Sequence, residues 1–234
     1  MRVLIANPGS TSYKCKLYET DSMQMLFQAG VERIGDQQGS FTHQFGTEKQ
    51  SFHTLPIPDY ATAIDLTIKC IESRYSMSSI AAVGFKTVHA KGITGCVYID
   101  DHVLKAMQEY MPLVPVHNHV YLTAISAFRN LLPQTPLIAL FETHFHTEIP
   151  EEAYLYGIPY EYFENHGVRK YGFHGASHRY IAYAARKTYY KERHRLKIIS
   201  CHLGGSSSVC AIRDGVSIDT SMGMSAQSGC LNAT

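Results

Sequence analysis

A pattern of glycine and small hydroxyl residues occurs twice in this chain of 234 residues. Residues 7–19 read NPGSTSYKCKLYE and residues 202–214 read HLGGSSSVCAIRD, so that Gly9 corresponds to Gly204. Each copy follows an apolar run and therefore predicts a strand, a tight turn and a second strand. Glycine lets the backbone approach a ligand closely, and successive turn N–H groups favour an anion. Either copy alone is best interpreted as an ordinary hairpin, but the matched pair predicts two lobes that hold a polyphosphate from both sides.

The composition is that of a globular protein, because 45% hydrophobic and 18% charged residues suffice for a core and a solvated surface. The net charge of +1 gives no indication of a nucleic-acid or acidic-membrane partner, and no apolar run is long enough to cross a bilayer. The chain opens on a predicted strand instead of a signal peptide, and its six cysteines show no CxxC spacing. We therefore expect a cytoplasmic protein with reduced thiols and with neither nucleic acid nor membrane as a partner.

Hydrophobic periodicity indicates a mixed α/β order. One helix is predicted with Asp59 as its cap, a second starts at Asp100, and a third has Ser177 as its cap and runs to about Arg193; buried strands are predicted at residues 80–89, 137–141 and 197–201. Residues 116–132 are expected to begin as a loop and to become helical. The chain is expected to divide near Pro150 into domains of residues 1–150 and 151–234.

A histidine between two glycines is the main candidate for contact with a phosphoryl group. His174 lies in the segment GFHGASH at residues 172–178, just before a predicted helix. The N–H groups at a helix N-terminus favour an anion, so an imidazole and the backbone would face the same phosphate. A loop histidine that caps local structure is an equally good interpretation of this segment alone.

Other polar residues follow strands or prolines. Glu142 follows the strand 137–141, where a carboxylate suits Mg²⁺ binding or the positioning of a nucleophile. Together with His144 and His146 it could ligate a transition metal, a less favoured alternative because no further clustered ligand and no Cys site accompanies this set. His117 follows two prolines and Lys86 ends a strand, and in isolation both are best interpreted as surface residues.

Four segments in chain order carry a family resemblance. They are NPGSTS at residues 7–12, PEEAYLY at 150–156, YGFHGASHRY at 171–180 and DTSMGM at 219–224. Together they resemble the acetate kinase (acetokinase) family, a branch of the actin-like sugar kinase and Hsp70 superfamily. The resemblance implies an α/β, actin-like ATPase (ribonuclease H-like) fold, with one lobe and the first part of a second. It also implies a Mg²⁺-dependent kinase of organic acid metabolism, a possible homodimer, that moves a phosphoryl group between ATP and acetate or a similar short carboxylate.

The resemblance implies a role for each matching residue. The implied catalytic residues are His174, Glu142, Lys86 and His117. The implied contacts for ATP and ADP are Asn7, Ser10, Ser12, Lys14, His202, Gly204, Gly205 and Ser206, and Asn7 is also the implied contact for Mg²⁺. The implied acyl pocket consists of Val88, Val116, Phe173 and Ala226.

Four of these positions depart from the family pattern, among them Ala226, which stands where the family has Pro. Lys86 stands where the family has Arg, and it offers a point charge instead of a two-pronged fork. Glu142 replaces an Asp, and Gly205 replaces an Asn that would donate a hydrogen bond. The chain ends at Thr234, before a second active-site Arg and the adenine-binding half of the family, so we expect residues 1–234 alone to have very weak activity or none. A working kinase, a degenerate paralogue that binds nucleotide or phosphate, and an assembly protein remain alternatives.

Overall fold

The computed structural model of this chain describes residues 1–189 and 196–231. Thr234 and the helix end expected near Arg193 lie outside these ranges. The contacts divide the chain into two compact units. The first comprises Met1–Thr87, Val97–Lys105 and Pro115–Leu140, and the second comprises Val88–Cys96, Ala106–Val114 and the described residues from Phe141 onwards. The domain boundary expected near Pro150 stays a prediction.

The first predicted hairpin is confirmed. Strand β1 (Arg2–Gly9) pairs antiparallel with β2 (Ser12–Glu19), and Gly9 faces Ser12 where the hairpin closes. The further strands are β3 (Gln24–Glu32), β4 (Asp36–Phe45), β5 (Ser51–Ile57), β6 (Ile80–Thr87), β7 (Cys96–Tyr98) and β8 (Leu137–Phe141). Within the described residues they form one eight-stranded sheet in the order β5-β4-β3-β2-β1-β6-β8-β7, and β6 runs parallel to β1.

Helices cover one face of this sheet. They are α1 (Tyr60–Glu72) and α3 (Pro115–Leu131), which contact each other and strands of the sheet, while α2 (Asp101–Glu109) follows β7 in the chain. Alternate residues of β2 point towards α3, since the rings of Tyr13 and Phe128 lie 6.2 Å apart and both are fully buried. Phe85 of β6 meets the same Phe128 ring edge-on at 5.4 Å. This aromatic layer anchors β1, β2 and β6 to one helix and so fixes the turn that follows β1.

The first two helices begin where they were predicted, and the third begins earlier. Asp59 caps α1 by accepting a hydrogen bond from Thr62 N at 2.8 Å, and Asp100 does the same for Val103 N before α2. The expectation of a loop after Val116 is wrong, because α3 is already helical at Pro115. Proline favours the first helical position, where its missing N–H would have no intrahelical partner.

The second unit contains the second predicted hairpin, which is also confirmed. Its elements are α4 (Glu151–Tyr154), α5 (Glu161–His166), α6 (Gly175–Thr188), β9 (Lys197–His202), β10 (Ser208–Arg213) and β11 (Val216–Thr220). The three strands form an antiparallel sheet in the order β11-β10-β9. A small core of Ala182, Cys210 and Ile212 joins α6 to this sheet. In the described part of the chain, no helix has the length and apolar character that crossing a membrane requires.

The two hairpins differ in their turns despite the shared sequence. Two residues connect β1 to β2, whereas five residues, 203–207, connect β9 to β10. In the first turn, the Tyr60 hydroxyl donates to the Gly9 carbonyl oxygen and also lies 3.2 Å from the Ser12 carbonyl oxygen. In the second, Ser207 Oγ bridges back to the carbonyl oxygen of Gly204 at 3.2 Å. The longer second turn leaves more backbone available to a ligand.

Candidate active site

His174 occupies a turn that few non-glycine residues adopt. Its φ is +55°, in the left-handed region, and it forms the N-cap of α6. The expectation that Ser177 caps this helix is therefore wrong. Ser177 lies inside α6, and its hydroxyl is 3.0 Å from Nδ1 of His202. The left-handed turn lifts the His174 ring away from the helix axis and towards β9.

Three imidazoles and two serine hydroxyls form a connected group, which we call the histidine cluster: His174, His178, His202, Ser200 and Ser208. The rings of His174 and His202 stack at 4.0 Å between centroids with 21° between their planes. Ser208 Oγ lies 2.8 Å from His174 Nδ1 and 2.8 Å from His178 Nε2. Ser200 Oγ lies 2.8 Å from His178 Nδ1. The buried Ser208 thus holds the half-buried His174 by a hydrogen bond, and the buried residues His178 and Ser200 continue this line of hydrogen bonds.

His178 was missed by the sequence analysis, although a signal for it exists. It stands four residues after His174, and residues at this spacing share a helix face. Burial, followed by the positive charges that His146, His174 and His202 can carry, lowers the pKa of His178 to about 4. The ring is therefore neutral near pH 7 and acts as a hydrogen-bonding support.

Glu142 closes the N-terminus of α6. Its carbonyl oxygen accepts from Gly175 N at 3.1 Å, and its carboxylate Oε2 accepts from Ala176 N at 3.3 Å. The side chain is 5% exposed. A carboxylate at this place is stabilised by the helix dipole. The N–H groups at the start of α6 were expected to face a phosphate beside His174. One of them, that of Ala176, already donates a hydrogen bond to Glu142.

The two histidines after Glu142 do not form a metal site. His146 is buried, with Nδ1 2.8 Å from Ser217 Oγ and Nε2 2.9 Å from the carbonyl oxygen of Phe173. Burial lowers the pKa of His146. Across residues 1–189 and 196–231, no group of three or more His, Cys, Asp or Glu side chains is placed to hold a metal ion. The geometry therefore does not support the transition-metal alternative.

The residues of the second predicted phosphate loop follow directly on His202. Gly204 and Gly205 are exposed, Ser206 is half-buried, and space is open around Gly205. The N–H of Gly204 lies 3.3 Å from Ser207 Oγ. The structure thus brings His174, His202 and this loop together within the second unit.

In the first unit, Asn7 and Lys14 line one hollow of about 410 Å³ on the exposed side of β1–β4. Asn7 Oδ1 accepts from the Tyr121 hydroxyl at 3.3 Å, which orients the amide from α3. Lys14 forms a 3.6 Å ion pair with Glu32. Ser10 is exposed in the turn between β1 and β2, so the first loop presents its hydroxyl close in sequence to Asn7.

Lys86 and His117 are electrostatic neighbours in the first unit. Lys86 is exposed on β6, and His117 is exposed in the first turn of α3. Desolvation, followed by the positive charge of Lys86, lowers the pKa of His117. The pair therefore combines a lysine side chain with an imidazole whose neutral form is favoured.

The predicted acyl-pocket residues have different environments. Val88 and Phe173 are buried in the second unit, where Phe173 meets the ring of His89 edge-on at 5.4 Å. Ala226 is half-buried in the same unit. Val116 belongs to the first unit and is 60% exposed. Their common role as a pocket stays a prediction.

The hairpin-led sheet of the first unit, in which β1 lies between antiparallel β2 and parallel β6, is that of an actin-like ATPase fold. The chain belongs to the acetokinase family, whose model matches residues 2–234. It is 40% identical over 235 residues to an acetate kinase of Clostridium botulinum (strain Okra / Type B1), a match that covers 98% of this chain. The chain spans 59% of the length of that relative.

Two solved structures agree with this assignment. The crystal structure of Porphyromonas gingivalis acetate kinase matches with a TM-score of 0.83 and 32% identity, over 96% of this chain and 58% of that one. The crystal structure of a propionate kinase from Francisella tularensis subsp. tularensis SCHU S4 matches with a TM-score of 0.89 and 29% identity, over 99% of this chain and 62% of that one. The expected fold and family are thus confirmed.

Proposed function

We propose that this protein takes part in Mg²⁺-dependent phosphoryl transfer between ATP and acetate or a similar short carboxylate. Membership of the acetokinase family supports the reaction class. The observation that carries the proposal is the stack of His174 on His202 at 4.0 Å, beside a glycine-serine loop. Phosphoryl transfer depends mainly on fixed groups that position the phosphates and neutralise their charge. An oriented imidazole pair and exposed loop N–H groups are such fixed groups.

Each candidate residue then has a defined task. His174 and His202 contact the transferring phosphoryl group, and the backbone N–H of Gly205 holds a neighbouring phosphate, which Gly204, having no side chain, lets approach closely. Ser10, Ser12, Lys14 and Ser206 are proposed as the remaining phosphate contacts. Lys86 and His117 bind the negative charge of the carboxylate or of the phosphoryl group. Glu142 keeps the start of α6, and with it His174, in a fixed position.

Mg²⁺ fits the oxygen groups of the first loop. This ion keeps several waters and binds through one or two protein oxygens together with substrate phosphates. Asn7 offers one such amide oxygen, exposed and oriented by Tyr121. When bound, the ion would neutralise phosphate charge. The proposal further includes a cytoplasmic location, in line with six free cysteines, and a homodimer.

A second candidate function is a paralogue that binds nucleotide or phosphate without efficient transfer. It is favoured by Lys86, because a single ammonium group cannot reproduce the bidentate geometry of Arg. It is also favoured by Glu142, whose backbone and carboxylate hydrogen bonds belong to the helix start. Both candidates require the phosphate contacts and differ in turnover.

The test combines binding with product formation. Residues 1–234 are incubated with ATP, acetate and Mg²⁺, acetyl phosphate is trapped with hydroxylamine, and ATP binding is measured by equilibrium dialysis. We expect ATP binding that His174→Asn weakens about tenfold, because asparagine tolerates the left-handed turn but lacks the second ring nitrogen. Acetate-dependent acetyl phosphate identifies the kinase, and ATP binding without product identifies the paralogue. Absence of both ATP binding and product would refute the proposal.

A further inference from the structure

Positive charge is concentrated in one stretch of a nearly neutral chain. Residues 165–213 contain ten Lys or Arg and a single acidic residue, Glu192, whereas the whole chain has 21 basic and 20 acidic residues. The remainder of the chain is therefore acidic overall. Charge segregation of this degree indicates a surface that meets an anion.

Part of this charge lines a groove of the second unit, which we call the basic groove. Its volume is about 690 Å³, and it lies between α6, the turn after Glu142 and the connection from β10 to β11. Arg179, Arg186 and Lys187 of α6 contribute its positive charge. A Cβ atom on Gly215 would lie 2.9 Å from Arg186 Nη1, so the guanidinium packs directly on the turn after β10.

In the part of the chain that the structure describes, no ion pair balances the positive charge of the groove. Within residues 1–189 and 196–231, neither Arg179, Arg186 nor Lys187 has an ion-pair partner. Glu148 is the acidic residue in the lining. At the nearby end of the sheet, Lys197 and Arg213 are both exposed and stand directly opposite each other on β9 and β10.

Like charges in directly opposite strand positions destabilise a sheet. Asp214, the next residue after Arg213, is the acid closest in sequence to this pair. Because side chains alternate along a strand, this pair points to the face of the sheet opposite Cys210 and Ile212, which pack on α6, and it therefore lies outside the groove.

We propose that the basic groove binds a small molecule that carries at least two linked phosphate groups. Arginine forks match phosphate oxygens in pairs, and Arg179, Arg186 and Lys187 offer three separate cationic contacts. Tyr183 also lines the groove with a ring that is 61% exposed, which gives a nucleoside base a surface for stacking. The groove volume lies in the range of small-molecule sites. A nucleoside diphosphate satisfies all these features.

This site is separate from the candidate active site, because none of the residues assigned to phosphate binding in the proposed function lines the groove. The inference goes beyond that function and does not depend on it. A ligand here would occupy the outer side of α6, whose N-terminus carries His174. The groove would thus be a second phosphate site on the same helix.

The test titrates residues 1–234 with pyrophosphate and with ADP in a calorimeter at low ionic strength. The variant is Arg186→Gln with Lys187→Gln. The matched control is Lys49→Gln with Lys105→Gln, which removes the same net charge from two exposed positions of the first unit. We expect the groove variant to lose about tenfold or more in affinity for both ligands, and the control less than about twofold.

Further variants separate the possible sources of binding. Tyr183→Ala should weaken ADP and leave pyrophosphate unchanged, because only ADP has a base. His174→Asn should leave the groove component unchanged; if it removes all pyrophosphate binding, the ligand occupies the candidate active site and the inference is wrong. Equal losses in the groove variant and the control, or no binding by the wild type, would also overturn it. Arg179→Gln serves as an independent groove variant should the double variant fail to fold.

Discussion

The buried ring of His178 predicts a specific loss of stability in acid. Its side chain is 0% exposed, and its pKa is lowered from the ordinary value of 6.5 to about 4. In the unfolded chain the ring takes up a proton near pH 6.5, whereas in the folded protein it stays neutral to about pH 4. Its contribution to stability is therefore fully present above pH 6.5 and is lost as the pH falls towards 4.

The magnitude follows from the two pKa values. At pH 5.0 the unfolded state binds this proton almost completely and the folded state binds it to roughly a tenth, which corresponds to a loss of about 2 kcal/mol relative to pH 7.5. Below pH 4 the full loss is about 3 kcal/mol. This is a large share of a typical domain stability of about 5–15 kcal/mol.

The assay compares wild type with His178→Gln by urea unfolding at pH 7.5, 6.0 and 5.0. At pH 7.5 the variant should be less stable by about 1–3 kcal/mol, because glutamine cannot bond Ser200 and Ser208 as the ring does. The difference between the two proteins should shrink by about 2 kcal/mol on going to pH 5.0. Titrating groups distant from residue 178 are common to both proteins and cancel in this difference. A difference that stays constant with pH would refute the argument, and circular dichroism at each pH verifies that both proteins start folded.

Three further predictions concern turns and the pocket. Gly175→Ala should destabilise the protein by about 2 kcal/mol or more in urea unfolding, since its Cβ would lie 2.1 Å from the backbone oxygen of Glu142. Gly205→Ala, with open space around it, should change stability by less than about 0.5 kcal/mol. Equal losses of stability in the two variants would contradict this. Tyr60→Phe removes the hydroxyl that holds the first turn and should cost about 1 kcal/mol in thermal unfolding; an unchanged melting temperature would show that the hydroxyl is dispensable. Ala226→Pro should weaken propionate relative to acetate about tenfold in calorimetric titration, and an unchanged ratio would remove Ala226 from the proposed pocket.

Patterns among residues close in sequence were sufficient to predict several strands and one helix cap. The paired glycine turns predicted both hairpins, and the apolar run at 137–141 predicted β8, because strands buried on both faces need continuous apolar side chains. Asp59 was predictable as a cap because its carboxylate bonds an N–H only three residues away. In each case the decisive interaction lies within a few residues, or in a pattern that repeats along one strand.

Interactions between distant residues were not predictable in this way. Ser200 and Ser208 surround His178 only because β9 and β10 pack against α6. The left-handed turn of His174 and the contact of Gly175 with Glu142 likewise depend on residues more than 30 positions apart. The site residues named from the sequence therefore stay predictions, and the hydrogen bonds that support them depend on the fold.

The hydroxyl of Ser208 has one proton and two imidazole neighbours. It can donate to only one ring, and when it does so it accepts from the other, so in these arrangements the tautomers of His174 and His178 are tied together. If Ser208 donates to His174 Nδ1, His174 carries its proton on Nε2, and His178 donates through Nε2 and accepts from Ser200. If Ser208 donates to His178, every donor and acceptor along this line is reversed. If a phosphoryl oxygen accepts a hydrogen bond from Nε2 of a neutral His174, the first arrangement is favoured. Ser200, on the opposite side of the buried His178 ring, is then a hydrogen-bond donor to that ring.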